Sequence, residues 1–505
     1  MNHLLIAPLT LPALVASLIL LVMRRRHLRL ARLVSLGACM TWVVLGAALT
    51  ARASSGDIAT YALGNWAAPF GILLVLDRLS AMMVLLTAIL SLAVLAYATS
   101  SDLDRRGWHF HPLFHFQILG LNGAFLTGDL FNLFVFFEML LIASYGLMLH
   151  GQGAARLKGG VQYVVINLAG STLFLVAVGI LYGVTGTLNM ADMAIRVAGA
   201  PPADQGLMRA GALLLIAVFA LKAALVPLHF WLPRTYASTS APVAALFAIM
   251  TKVGAYSIIR TTILIFGADA GESAWAPAAW MLPAALLTLA LGFIGVLAAR
   301  NLRDLAAFAV VGSMGTLLSA TSVFQPAAIT AALYYTLHST LAGAALFLTV
   351  DLIARRRGDY GDALTPSPRF PQIELLSVFF FLSAIALVGL PPLSGFLGKL
   401  MILNGVRESA SAPWIWACIL STTVLALLGF ARAGSLLFWE SAAVGTDIHA
   451  KVPPHPILTL VGAAAPLAGL IALTVFAGPV TTYLTAATEQ LFDSAAYVTA
   501  VLGPR

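Results

Sequence analysis

LLLIAVFALKAALVPLHFWLP (213–233) and LSAIALVGLPPLSGFLGKLMIL (382–403) decide the fold. Each is an apolar run of the length that crosses hydrocarbon. Each also carries a lysine, Lys222 or Lys399, and a helix-breaking proline nearby: Pro227 in the first, Pro391 and Pro392 in the second. A lysine at the centre of a membrane helix costs about 3 kcal/mol on insertion scales. Proline removes a backbone hydrogen bond and frees a carbonyl, which lipid tolerates only beside protein or a wet cavity. Two lysines, each beside a break, describe the discontinuous helices with which membrane transporters build ion sites near the bilayer midplane. The pattern predicts water near both lysines and a protein that moves protons or cations.

The rest of the chain fits that reading. Hydrophobic residues make up 60% of the 505 residues and charged residues 10%, against about 25% in soluble domains. Apolar runs of about 20 residues recur from end to end, so the fold class is all-α, a polytopic membrane protein. No alternating strands of the barrel type are seen. About fourteen transmembrane helices are expected, near 4–23, 31–51, 73–98, 110–127, 130–149, 160–183, 208–230, 241–266, 278–299, 304–323, 327–353, 372–405, 413–438 and 457–478. Roughly seventeen of the 28 basic residues then fall in loops on one side, against about six on the other. The net charge of +8 is therefore a topology signal and not a nucleic-acid patch. It places both termini outside. The first run has no basic segment before it, and Arg24, Arg25, Arg26, Arg29 and Arg32 follow it, so it reads as a retained helix and not a cleaved leader.

The broken helices, seventh and twelfth in order, lie five spans apart. An odd offset inverts orientation, so the chain is expected to hold two inverted five-helix repeats. The divisions are 1–107 for helices 1–3, 108–270 for the first repeat, 271–440 for the second, and 441–505 for helix 14 and the tail. Two short pieces, LNMADMAIRVAGAPP in the loop before the seventh span and TEQLFDSAAYV in the tail, are expected along the membrane surface. Cys39 and Cys418 lie in apolar runs without metal-ligand spacing. No metal or other cofactor is expected, and no Gly-rich phosphate loop appears.

Five ionisable residues lie too deep in predicted spans to reach the interface easily: Glu138, Lys222, Lys252, His338 and Lys399. They read as a proton pathway. A desolvated lysine gives up its proton readily, and a nearby carboxylate opposes that. Glu138 with Lys222 would act as a switch, Lys252 and His338 as relays, and Lys399 as the exit. Each has a plainer reading: an ion pair fixing helix packing for Glu138 and Lys222, a backbone carbonyl for Lys252, a satisfied core histidine for His338. His229, after Pro227, is a candidate proton-entry group, as are His109, His111 and His115 in WHFHPLFHF, which also suit interfacial anchoring beside Trp108. Asp77–Arg78 reads as an interfacial pair. Asn167, Ser171 and Thr172 suit close helix packing.

Six strings then carry a resemblance: TGDLFNLFVFFEMLLIASYGL (127–147), YGVTGTLNMADM (182–193), LKAALVPLHFWLP (221–233), APVAALFAIMTKVGAYSIIR (241–260), YYTLHSTLAGAALF (334–347) and GLPPLSGFLGKL (389–400). The chain resembles the antiporter-like subunits shared by Mrp-type sodium/proton antiporters and the membrane arm of respiratory complex I. It is most similar to the D-type branch of the Mrp subunits, because Phe137 stands where complex I members tend to have Trp, and Arg234-Thr235 where they usually have Asp-Ala. It also lacks the long lateral helix of the largest complex I member of the family and the extra C-terminal spans of the A-type Mrp member. The resemblance carries the proton path over to the same five residues. It implies a non-redox subunit of a hetero-oligomer in the bacterial inner membrane, exchanging sodium for protons. A proton-pumping subunit of a complex I-type or hydrogenase-type oxidoreductase is the alternative.

Overall fold

The computed structural model describes residues 3–22, 27–444 and 455–503. Arg24, Arg25 and Arg26, and most of the loop 439–456, lie outside the described residues. In chain order the helices are Ala7–Val22 (α1), Leu28–Ala53 (α2), Arg78–Ser100 (α3), Phe110–Leu126 (α4), Leu130–Leu149 (α5), Ala154–Thr185 (α6), Met190–Ala198 (α7), Pro202–Lys222 (α8), Trp231–Ser238 (α9), Ala241–Phe247 (α10), Met250–Leu264 (α11), Ala278–Ala298 (α12), Leu302–Thr321 (α13), Pro326–Arg356 (α14), Ile373–Val388 (α15), Ser394–Gly405 (α16), Ala412–Gly434 (α17), Ile457–Val475 (α18), Ala477–Phe492 (α19) and Ser494–Leu502 (α20). Among the described residues, eleven helices are long and apolar enough to cross a membrane, and two shorter apolar ones, Ala7–Leu21 and Ile373–Val388, join them. The chain is a multi-pass, all-α membrane protein. Helices dominate because each pairs its own backbone groups, as hydrocarbon requires.

Both expected breaks are present. One separates α8, ending at Lys222, from α9 at Trp231, and the other separates α15, ending at Val388, from α16 at Ser394. A third break has no counterpart among the expected ones. The run 241–264 is interrupted at Ala248 and Ile249, just before Lys252. No proline stands there, so the usual sequence signal of a kink is missing.

The start of the third span also differs. Leu73–Leu76 is not helix but strand β2, paired antiparallel with β1, Ala59–Ala62, with Ala59 opposite Leu76 and Ala62 opposite Leu73. Helix α3 begins after it because Asp77 closes a capping box with Ser80. The apolar run LLVL carried the predicted boundary too far towards the N-terminus. The tail differs as well. Its TEQLFDSAAYV segment runs from the end of α19 into α20, and it is docked on the bundle through buried Leu491 and Tyr497.

The core is most complete around α10, α11, α13 and α14, whose residues are almost all buried. The outer helices α6, α12, α17 and α18 each bury little more than one stripe. Polar residues on the inner four helices are thus shut away from lipid on all sides.

Candidate functional site

Lys222, Lys252, His338 and Lys399 come from α8, α11, α14 and α16, and all are at least 95% buried. Glu138 on α5 is half-buried. Lys222 Nζ donates to Asn167 Oδ1 of α6 at 3.1 Å. Asn167 in turn donates its amide N–H to the Tyr163 carbonyl at 2.8 Å, which fixes which end of the amide faces the lysine. Phe137, beside Glu138, presents its ring 5.9 Å from the Lys222 ammonium. Glu138 and Lys222 interact electrostatically without an ion pair of 4 Å or less. One Glu138 oxygen, Oε1, is buried with no hydrogen-bond partner among the described residues. Glu138 and Lys222 are therefore a loose couple and not the direct ion pair of the plainer reading, with Asn167 as the lysine's direct partner.

The second group is closer-knit. His338 Nδ1 meets Ser394 Oγ at 3.0 Å, on the first residue after the second break. Gly395 lets α16 come this near, since a Cβ there would overlap the Ala386 carbonyl and crowd His338. Lys399 Nζ donates to the Val388 carbonyl and to Thr423 Oγ1 of α17, both at 2.8 Å, and lies 5.4 Å from the Phe293 ring. His338 senses the charges of both Lys252 and Lys399. Among the described residues Lys252 Nζ has one bond, to Met314 Sδ at 3.3 Å, and a thioether is a weak acceptor.

The two groups meet through the backbone at Gly254. A side chain there would lie 2.6 Å from the Ala223 nitrogen and 3.0 Å from the Lys222 carbonyl carbon. Helix α11 thus rests on the end of α8, two residues beyond Lys252 and beside Lys222.

Side chains meet the opened backbone at the breaks. Pro227, Pro391 and Pro392 lie on the exposed surface of the chain. At each break a carbonyl accepts from a side chain: Leu221 from Trp231 Nε1 at 3.1 Å, Phe247 from the Tyr236 hydroxyl at 2.7 Å, and Val388 from Lys399. The Val226 N–H donates to Thr288 Oγ1 of α12 at 2.8 Å. Protein donors and acceptors thus meet part of the backbone that the breaks lay open.

The candidate entry histidines separate. His229 is half-buried in the first break. His109 is exposed and lies against Trp108 with the rings tilted by 37° and their centroids 3.6 Å apart. His111 is buried against Asp104 at 3.1 Å, and His115 against Ser35 at 2.9 Å. Burial works to raise the Asp104 carboxyl; hydrogen bonds from His111 and Arg32 outweigh it and hold the group below the usual carboxylate range. His109 therefore stands apart from His111 and His115, which lie one turn apart on the same buried face of α4.

Asp77 and Arg78 do not form a pair. Asp77 meets Arg260 of α11 at 2.6 Å, both nearly fully buried, and Tyr256 and Tyr497 flank the guanidinium at 5.5 Å. Removing one partner of such a pair strands a buried charge, at about 3–5 kcal/mol. Arg260→Leu is expected to lower the melting temperature of the purified assembly by several degrees. An unchanged melting curve would show the pair to be dispensable.

This sequence and this fold match known proteins. The family model described as NADH:quinone oxidoreductase/Mrp antiporter, transmembrane, matches residues 127–426. The D-type subunit of a probable K+/H+ antiporter of Rhizobium meliloti is 39% identical, with 97% of this chain and 96% of that protein covered. The chain belongs to the family of D-type Mrp antiporter subunits. The D-type subunit of a Na+/H+ antiporter of Alkalihalophilus pseudofirmus is 35% identical, over 99% of this chain and all of that one. Among solved structures, a chain of the Mrp complex from a Dietzia species superposes with a TM-score of 0.87 at 28% identity, each chain covered in full. The family resemblance read from the six strings, and the D-type branch read from Phe137 and Arg234-Thr235, are thereby borne out, and with them a transporter subunit in place of an enzyme. Sequence reasoning missed Asn167 as a lysine ligand, and also Ser394, Thr423 and Met314. Asn167 alone carried a signal, as an amide near the middle of a largely apolar span.

Proposed function

We propose that this chain is the proton-translocating subunit of a multisubunit monovalent cation/proton antiporter, with protons passing along Glu138, Lys222, Lys252, His338 and Lys399. The observation that carries the reading is the convergence of four buried ionisable side chains from four helices, linked through Asn167, Ser394 and the Gly254 contact. A lysine held by neutral acceptors is poised to lose its proton. Loading one site raises the cost of charge at the next, so protons advance in steps.

Glu138 extends the path to the edge of the chain. It falls on the same stripe of α5 as Phe131, Val135 and Ile142, all exposed. A carboxylate on a membrane-facing stripe needs a neighbour, which fits a subunit of a hetero-oligomer. His229 in the first break is the entry group in this reading, and Lys399 the exit. Fourteen crossings, in two inverted five-helix repeats at 108–270 and 271–440 with both termini outside, complete the arrangement. Sodium is the proposed counter-ion. The names of the two relatives differ between potassium and sodium, so transport assays must measure both.

The test is antiport by the full complex in inside-out vesicles from a strain without its own antiporters. Lys399→Ala and Glu138→Ala are expected to assemble normally and to lose cation-dependent proton flux by tenfold or more. Flux at the unsubstituted level with either variant would remove that residue from the path.

A further inference from the structure

The seam where α4 packs against α1 and α2 is separate from this chain of groups, yet it is polar along most of its length. His111, His115 and Asn122 share one face of α4, and all are buried. At one end Arg32 of α2 pairs with Asp102 and Asp104, and Asp104 meets His111 Nε2. One turn further, His115 Nε2 meets Ser35 Oγ of α2, and Trp42 approaches the imidazole edge-on at 5.0 Å. At the far end Asn122 Nδ2 donates to the Pro8 carbonyl of α1 at 3.0 Å. That carbonyl is free because Pro12, four residues on, has no N–H to offer it.

Direct bonds satisfy only part of the seam. His111 Nδ1, His115 Nδ1, Trp42 Nε1 and Asn122 Oδ1 are buried and meet no hydrogen-bond partner among the described residues. A bare group of this kind costs about 1–3 kcal/mol. Donors and acceptors at successive levels of one seam give internal water the several polar contacts it needs. From His111 to Asn122 the helix rises about 16 Å, more than half of a hydrocarbon core of about 30 Å.

We propose that the α1–α2–α4 seam holds a file of internal waters and, through His115, forms a second proton route that uses none of Lys222, Lys252 and Lys399. His115 accepts a proton on one ring nitrogen and releases one from the other; the imidazolium passes into the opposite neutral tautomer, and a ring flip or proton exchange through the adjoining hydroxyl and water restores the first. The file narrows to this ring, between the Ser35 hydroxyl on one side and water on the other. Removing the ring breaks the route.

Two measurements on the intact complex in lipid test the proposal. Radiolytic hydroxyl-radical footprinting marks side chains that touch water. Trp42 and Trp231 are equally buried, at 3% and 2% exposure, but Trp231 Nε1 is already bonded to a carbonyl. Trp42 is expected to oxidise several-fold faster than Trp231; equal rates would overturn the water file. Proton conductance under an imposed potential is then measured with the Lys222→Leu complex. A residue of conductance above protein-free vesicles is expected, lost on adding His115→Phe or, from the other end, Asn122→Leu. Conductance that is absent, or that survives in whichever double variant assembles, would overturn the route. Full antiport by Lys222→Leu itself would count against the proposed function and not against the seam.

Discussion

Lys222→Arg and Lys222→Leu are both expected to abolish coupled proton flux, and the arginine variant is the more telling. Arginine keeps the positive charge and can still donate to Asn167 Oδ1, so a purely structural lysine would survive the exchange. It does not release its proton in a protein, so a relay would not survive it. Leucine removes the charge altogether, and a proton must then pass a stretch of low dielectric without a base. A deficit of about 3 kcal/mol in the barrier is more than a hundredfold in rate. The expected result is normal assembly of the arginine variant with flux down at least about a hundredfold in both. Flux near the unsubstituted level with arginine would return Lys222 to the role of a packing residue. The readout is cation-dependent proton movement in inside-out vesicles, scaled to the amount of assembled complex.

What the sequence showed of this site, and what it hid, follows from the range of each interaction. Lys222 and Lys399 were visible because a charge inside an apolar run is a local anomaly, and Pro227, Pro391 and Pro392 were visible because proline acts on its own helix. The α8–α9 and α15–α16 breaks stand within a few residues of those prolines. The break before Lys252 was hidden because tertiary bonds make it, the Tyr236 hydroxyl taking the Phe247 carbonyl. Asp77 was assigned to its chain neighbour Arg78 and belongs to Arg260, a choice that helix packing makes and sequence adjacency does not. Asn167 looked like packing material because its lysine partner lies on another helix. The β1–β2 hairpin was lost because LLVL reads equally as strand or as the edge of a span.

Lys252 is the second large effect, and its two consequences have opposite signs. Lys252 is 99% buried, and among the described residues its one bond is to a thioether sulfur. A buried charge so weakly held destabilises the fold, and an unbranched apolar chain of similar length fills the same space without that cost. Lys252→Met is therefore expected to leave the melting temperature unchanged or higher. The same exchange removes the amine between Lys222 and His338, and flux should fall at least about a hundredfold. A residue kept for packing would show the reverse: lower stability and retained flux.

The most direct measurement is accordingly one paired experiment on the Lys252→Met complex, with thermal unfolding of the purified assembly and antiport with sodium and with potassium in vesicles. The account predicts an equal or higher melting temperature together with loss of proton movement for either cation. Undiminished proton movement in a properly assembled Lys252→Met complex would contradict it, because a path that does not need its middle amine is not the path described.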